Sequence, residues 1–143
     1  MKKLFLFASA VILSASVFAQ AKKAEDVLKF KELSYDFGKI KQNVPVTHDF
    51  NFTNTSDNPV IIESAMASCG CTTPVKPEGA IQKGKSDVIK TGFNAAVAGP
   101  FNKTVTIKVA GVDMPLQLHI TGEVLTPDAY AKYEAAKGGK GSR

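Results

Sequence analysis

In its 143 residues the chain has only two cysteines and two histidines, and it lacks the common catalytic signatures. No Gly-x-Ser-x-Gly elbow, phosphate loop or dinucleotide fingerprint occurs, so the sequence carries no signature of an α/β-hydrolase elbow, a P-loop or a Rossmann dinucleotide site. No repeat at solenoid or propeller period is present, and no long amphipathic helix interrupts the core. Beyond the first twenty positions no stretch is long and apolar enough to cross a bilayer. One-sided charge is also scarce. The formal charge is +5, but Lys2 and Lys3 carry two of it. The tail from Thr126, with Lys132, Lys137, Lys140 and Arg143 against Asp128 and Glu134, carries another two. A core near neutrality has no basic face for nucleic acid.

The first residues have the form of an export signal. Lys2 and Lys3 precede the apolar run from Leu4 to Leu13, and Val17-Phe18-Ala19 fits signal-peptidase specificity. Cleavage is expected after Ala19, with Ala21 as the alternative. The mature chain is then soluble and exported, periplasmic or beyond, with no transmembrane segment. Its organisation reads as a signal peptide at 1–19, an N-terminal arm at 20–28 with a short helical stretch, one domain at 29–125, and a basic tail at 126–143. One domain of that size buries a single hydrophobic interior.

Within the domain, period-two alternation dominates, the spacing of half-buried strands. Leu33, Tyr35 and Phe37 alternate, and Gly38 reads as a turn. Val44, Val46, His48, Phe50 and Phe52 share one face, opposite Thr47, Asp49 and Asn51. Thr55 to Pro59 is a turn cluster. Val60-Ile61-Ile62 opens a strand toward Met66, and Thr72 to Gly79 has the composition of a loop. Val88, Ile89 and Phe93 form the next strand, and Gly99-Pro100 breaks the chain. Val105, Ile107 and Val109 alternate, then Leu116, Leu118, Ile120 and Val124. About seven such strands predict an all-β sandwich of immunoglobulin type. In the tail, Thr126-Pro127-Asp128 reads as a helix start and Gly138-Gly139 as its stop. Some three turns is marginal alone, so a short flexible or helical tail is expected.

The most informative motif is Cys69-Gly70-Cys71-Thr72. In an oxidising compartment paired cysteines form disulfides. An i,i+2 bridge is awkward, because in an extended strand the two Cα atoms stand about 6.5 Å apart with parallel side chains. Gly70 relieves this by permitting an unusual φ. Three readings fit: a bridge or thiol pair shaping a strand end; a soft-metal site for copper or zinc formed by Cys69, Cys71 and His48; and a thiol–disulfide redox pair. Further metal candidates are Asp49, Glu63 and Met66. His48 alternates with apolar residues and reads as inward-facing, His119 as outward and solvated, Met66 as core filler. Thioredoxin-type chemistry uses Cys-x-x-Cys at a helix N-terminus, which this motif lacks. Three glycosylation sequons occur, at Asn51, Asn54 and Asn102.

Tyr35-Asp36-Phe37-Gly38-Lys39-Ile40, the strand ending Phe52-Thr53-Asn54-Thr55, the Cys69-Gly70-Cys71-Thr72 motif and Gly99-Pro100-Phe101-Asn102-Lys103 follow in an order that resembles the DUF1573 proteins. These are exported bacterial domains of unknown function, similar to the immunoglobulin-like ASPM–SPD-2–Hydin and major-sperm-protein domains. The resemblance runs from about Phe30 to Val124. It implies an immunoglobulin-like fold and a cell-envelope location in Bacteroidetes-like organisms, and no reaction. The expected function is therefore a non-enzymatic binding or scaffolding module for an unknown cell-envelope protein, through a binding loop with Ser68, Thr73, Pro74, Pro77 and Gly79. The alternative is a periplasmic soft-metal-binding or thiol-redox protein built on the two cysteines.

Overall fold

A computed structural model describes residues 21–138. The expected signal peptide with its first cleavage site, and the last five residues of the tail, lie outside that range. Nine strands run in chain order: β1 (Leu28–Phe30), β2 (Ser34–Lys41), β3 (Val46–Asn54), β4 (Val60–Ala67), β5 (Thr72–Val75), β6 (Ala80–Ile81), β7 (Ser86–Phe93), β8 (Gly99–Val109) and β9 (Leu116–Leu125). They form two sheets, β1-β3-β7-β5 and β2-β9-β8-β4-β6. All pairings are antiparallel except β2 with β9. The fold is an immunoglobulin-like sandwich. Two of the nine strands, β1 and β6, are too short for their alternation to be legible in the sequence.

The alternation dictates the core. Phe50, Phe52 and Ile89 from one sheet meet Val105, Ile107, Leu118 and Ile120 from the other, all essentially inaccessible to water. Each apolar side chain so buried contributes about 1.5–3 kcal/mol relative to exposure. One buried polar group organises the β3–β4 connection. The Asn54 amide donates to the carbonyls of Asn58 (2.8 Å) and Ile81 (2.9 Å), and its oxygen accepts from the Ser56 amide (2.9 Å) and hydroxyl (2.8 Å). Every polar atom of that side chain is satisfied, and both amide hydrogens of this sequon are committed.

Two bulges reset the alternation and correct the sequence reading. Gly38 is not a turn but a bulge inside β2, where the register shifts between Asp36 and Lys39. Its φ is +66°, and its N–H donates to Asp36 Oδ1 at 2.8 Å, so aspartate and glycine build the bulge together. The second shift lies between Ile62 and Ser64 of β4. One extra residue reverses the parity of all that follows. Ala65 and Ala67 therefore pack inward, and Met66, expected as core filler, is 67% exposed.

The N-terminal arm is docked. Its helix is a single 3-10 turn, Ala24–Asp26. The Lys22 carbonyl accepts from the Asp113 and Met114 amides, and the Ala24 amide returns a bond to Met114. Ala24, Val27 and Leu28 are buried, so the core begins inside the segment expected to be an arm. At the other terminus, α1 (Pro127–Gly138) starts as its sequence predicts, with Thr126 Oγ1 accepting from the Ala129 amide. No α1 residue is buried; the helix rests on β2 and β9, where Lys39 Nζ lies 5.2 Å from the Tyr133 ring centroid.

Candidate functional site

β4 ends where Ser68 turns out of the five-stranded sheet. Its amide donates to the Thr104 carbonyl (2.9 Å), and its hydroxyl accepts from the Thr104 amide (3.1 Å). The chain then crosses to the other sheet in one tight turn, closed by the Thr72 amide donating to the Cys69 carbonyl at 3.3 Å. Within it Cys69 and Cys71 form a disulfide, with Cα atoms 5.3 Å apart. That is more than an ångström less than an extended strand allows, so the turn brings the sulfurs together. Gly70 does so without the unusual φ expected of it, since it is absent from the left-handed positions, and a Cβ placed there would meet nothing within 4 Å. Neither a left-handed φ nor contact with residues other than its chain neighbours requires a glycine at 70. Both cysteines are half-buried, and the Thr72 hydroxyl lies 3.7 Å from Cys69 Sγ and 3.9 Å from Cys71 Sγ. Disulfide sulfur carries no proton, so the hydroxyl is the donor in either contact.

Two further loops are tied to this turn. The Asn94 amide donates to the Cys71 carbonyl (3.0 Å), the Asn43 amide to the Ala95 carbonyl (2.9 Å), and Gln42 Nε2 to the Ala96 carbonyl (3.0 Å). Asn43 and Ala95 hold φ values of +62° and +52°, unusual for residues with a Cβ. Ala95 tolerates this because its methyl is fully buried and its carbonyl is bonded across to Asn43. Such strain persists only where surrounding structure over-determines it. Loops 42–45, 68–71 and 94–98 thus form one rigid end of the sandwich, presenting Val44 and Val97, the latter 79% exposed. Beside them a cleft of about 240 Å³ is lined by Pro45, Thr47, Gly70, Cys71, Thr73 and Gly92, among others. Gly92 forms part of its lining: a Cβ there would stand 2.9 Å from Thr73 Oγ1. Asparagine at 43 is a residue type enriched at left-handed φ, but the sequence does not signal Ala95, because alanine carries no such preference. A glycine inside a strand pattern at 92 was the readable cue.

The other sequence candidates are dispersed. Thr73 and Pro74 are not in a loop but in β5, an edge strand paired with β7, with Pro74 opposite Thr91. An edge strand need not donate on both sides, which is why proline is tolerated. Pro77 and Gly79, the latter with φ +81°, lie in the connection to β6. His48 does face inward, but at the rim. Its ring stacks on Tyr35 at 3.6 Å between centroids, and Nε2 bonds Glu32 at 2.7 Å. His119 is half-buried, its Nδ1 3.3 Å from the Thr104 hydroxyl. Glu63 pairs with Lys108 at 2.8 Å; that hydrogen bond and the carboxylate charge raise the lysine pKa. Asp49 is exposed. Among the described residues no three His, Cys, Asp or Glu side chains converge as metal ligands. No helix among them is long and apolar enough to cross a membrane.

Two sheets with Greek-key-like crossovers and a rigid loop end define an immunoglobulin-like β-sandwich domain. The chain belongs to the DUF1573 family of proteins of unknown function, whose model matches residues 28–124. Among solved structures it is similar in fold to a Porphyromonas gingivalis protein of unknown function, at 13% identity and TM-score 0.60, covering 68% of this chain and 46% of that one. It is similar to the ASH/PapD-like domain of human CEP192, at 7% identity and TM-score 0.58, covering 85% and 98%. The VesB protease of Vibrio cholerae matches at 14% identity and TM-score 0.55, over 71% of this chain and 33% of that one. The chain thus spans under half of the Porphyromonas and Vibrio proteins. At these identities the likeness is one of fold. No curated protein matches in sequence.

Proposed function

We propose that this chain is an exported cell-envelope binding module that presents the disulfide end of the sandwich to another envelope protein. The observation that carries this is the mutual locking of loops 42–45, 68–71 and 94–98 under two exposed valines, Val44 and Val97. A surface ordered before contact loses little conformational entropy on binding. The sheet edges are poorer candidates. β5 carries Pro74, β2 carries the Gly38 bulge, and β1 and β6 are short, all devices that discourage strand addition. The binding loop expected at 68–80 is therefore narrowed to its first turn and joined by its two neighbours.

A photo-cross-linking residue at Val97, compared with one at the exposed Lys83 of the β6–β7 connection, tests this in cells making the full chain. Position 97 should give a discrete protein adduct and position 83 none. Equal adducts at both, or none at 97, would refute the assignment.

A further inference from the structure

We propose that Cys69–Cys71 is a thiol–disulfide exchange site that accepts electrons from a dithiol on a partner polypeptide. Cys71 Sγ is the sulfur attacked through the cleft, and the Thr72 hydroxyl stabilises the departing Cys69 thiolate. The proposal does not depend on the binding reading above.

Access selects the attacked sulfur. Cys71 lines the 240 Å³ cleft, together with Gly70 and Gly92, and Cys69 does not. Those two glycines share a property: neither sits at a left-handed φ. A Cβ at 70 would meet no atom within 4 Å beyond its chain neighbours Cys69 and Cys71, and one at 92 would displace the Thr73 hydroxyl, 2.9 Å away, before the next atoms at 3.7 Å. What a side chain at either position would change is the approach to the sulfur. Exchange rates depend on which sulfur is reached and on how well the leaving thiolate is stabilised. Thr72 is 3% exposed, and its hydroxyl is 3.7 Å from Cys69 Sγ, so a donor is already in place where negative charge develops.

The surrounding turn does not depend on the bridge. Ser68 to Thr104, Thr72 to Cys69 and Asn94 to Cys71 are bonds of the backbone and of a serine hydroxyl, and none uses sulfur. Reduction leaves two thiols held facing each other, poised to reclose. In the forward step a partner thiolate bonds to Cys71 Sγ, the Cys69–Cys71 bond breaks, and Cys69 leaves as a thiolate and is protonated. The partner's second thiol then loses its proton and attacks the partner sulfur of the mixed disulfide. Cys71 leaves and is protonated. The partner gains a disulfide, and this chain takes up two electrons and two protons.

The test uses the full exported chain, oxidised, with glutathione and dithiothreitol as probes and alkylated mass as the readout. In a glutathione redox buffer the wild type should settle at a measurable mixture of bridge and dithiol. A bridge that stays wholly oxidised in excess reduced glutathione overturns the proposal, and this measurement needs no variant. Gly70→Val should slow reduction by dithiothreitol at least tenfold with the melting temperature unchanged. Thr72→Val should slow it several-fold and Thr72→Ser should restore it, a pattern that a merely structural threonine would not produce. Rates indifferent to both positions overturn the assigned roles.

Discussion

Replacing both cysteines, Cys69→Ser with Cys71→Ser, should cost the domain little stability. The bridge closes a loop of three residues, at a sequence separation of 2. In the chain-entropy account a loop that short constrains the unfolded state by about 5.4 cal/mol/K, or about 1.6 kcal/mol at 25 °C. With an unfolding entropy of about 0.2 kcal/mol/K for roughly a hundred folded residues, that is at most about 8 °C in melting temperature. The turn's remaining bonds survive the change, so beyond the contact of half-buried Cys71 with the core the native state gives up little. Small secreted domains commonly lose 2–5 kcal/mol with a disulfide because their cores are thin. Here the core is thick: a single truncation such as Phe50→Ala should cost about 3–5 kcal/mol, more than the whole bridge. The assay is thermal and urea unfolding of wild type, double serine variant and Phe50→Ala in one buffer. A double variant losing more than about 3 kcal/mol, or unfolding in more than one transition, would refute the reasoning. The bridge would then be a staple, and the case for its chemistry would weaken with it.

Three other substitutions probe the frame that positions the site. Gly122→Ala places a methyl 2.7 Å from the Phe101 ring and 2.8 Å from the Gly38 carbonyl oxygen, and should destabilise by about 2–4 kcal/mol in chemical denaturation. Asn54→Ala removes the side-chain donor to the Ile81 carbonyl and the acceptor of the Ser56 amide, while the Asn58 carbonyl keeps the Ser56 hydroxyl, and should cost about 2–3 kcal/mol, with faster amide exchange confined first to the β3–β4 turn and β6. Thr91→Val should raise stability by about 1 kcal/mol, because Thr91 Oγ1 is buried without a hydrogen-bond partner among the described residues and valine has the same shape; a loss measured by urea titration would mean that the hydroxyl is satisfied.

The core was legible because it obeys one rule. Phe50, Phe52, Ile107, Leu118 and Ile120 alternate without interruption, and each is buried as the spacing requires. Reading failed where a single residue breaks the count. Nothing in Ile62-Glu63-Ser64 announces a bulge, so Met66 was assigned to the wrong face. Gly38 announced an irregularity but not its kind, since turn and bulge demand the same left-handed glycine. Thr72–Val75 has a loop's composition and is a strand because the Phe93 end of β7 needs a partner. The site was legible only in part. The cysteine motif marked one loop of three, while the loops at 42–45 and 94–98 are joined to it by backbone atoms that every sequence possesses.

That joining also explains why the disulfide end, rather than another surface, carries the functional argument. The opposite end is occupied: the arm from Lys22 to Ala24 is bonded along Asp113 and Met114. The lateral edges are blunted by Pro74, by the β2 bulge and by the brevity of β1 and β6. One pole remains that is ordered, apolar at its rim and open to solvent, and the chain's two cysteines lie there. Their bridge is too short to contribute much to folding, and the turn around it is secured by other bonds. Between them stands Gly70, which has no left-handed φ and lines the cleft together with Cys71. A purely structural bridge has no use for that cleft, whereas in the proposed exchange the attacking thiol reaches Cys71 through it.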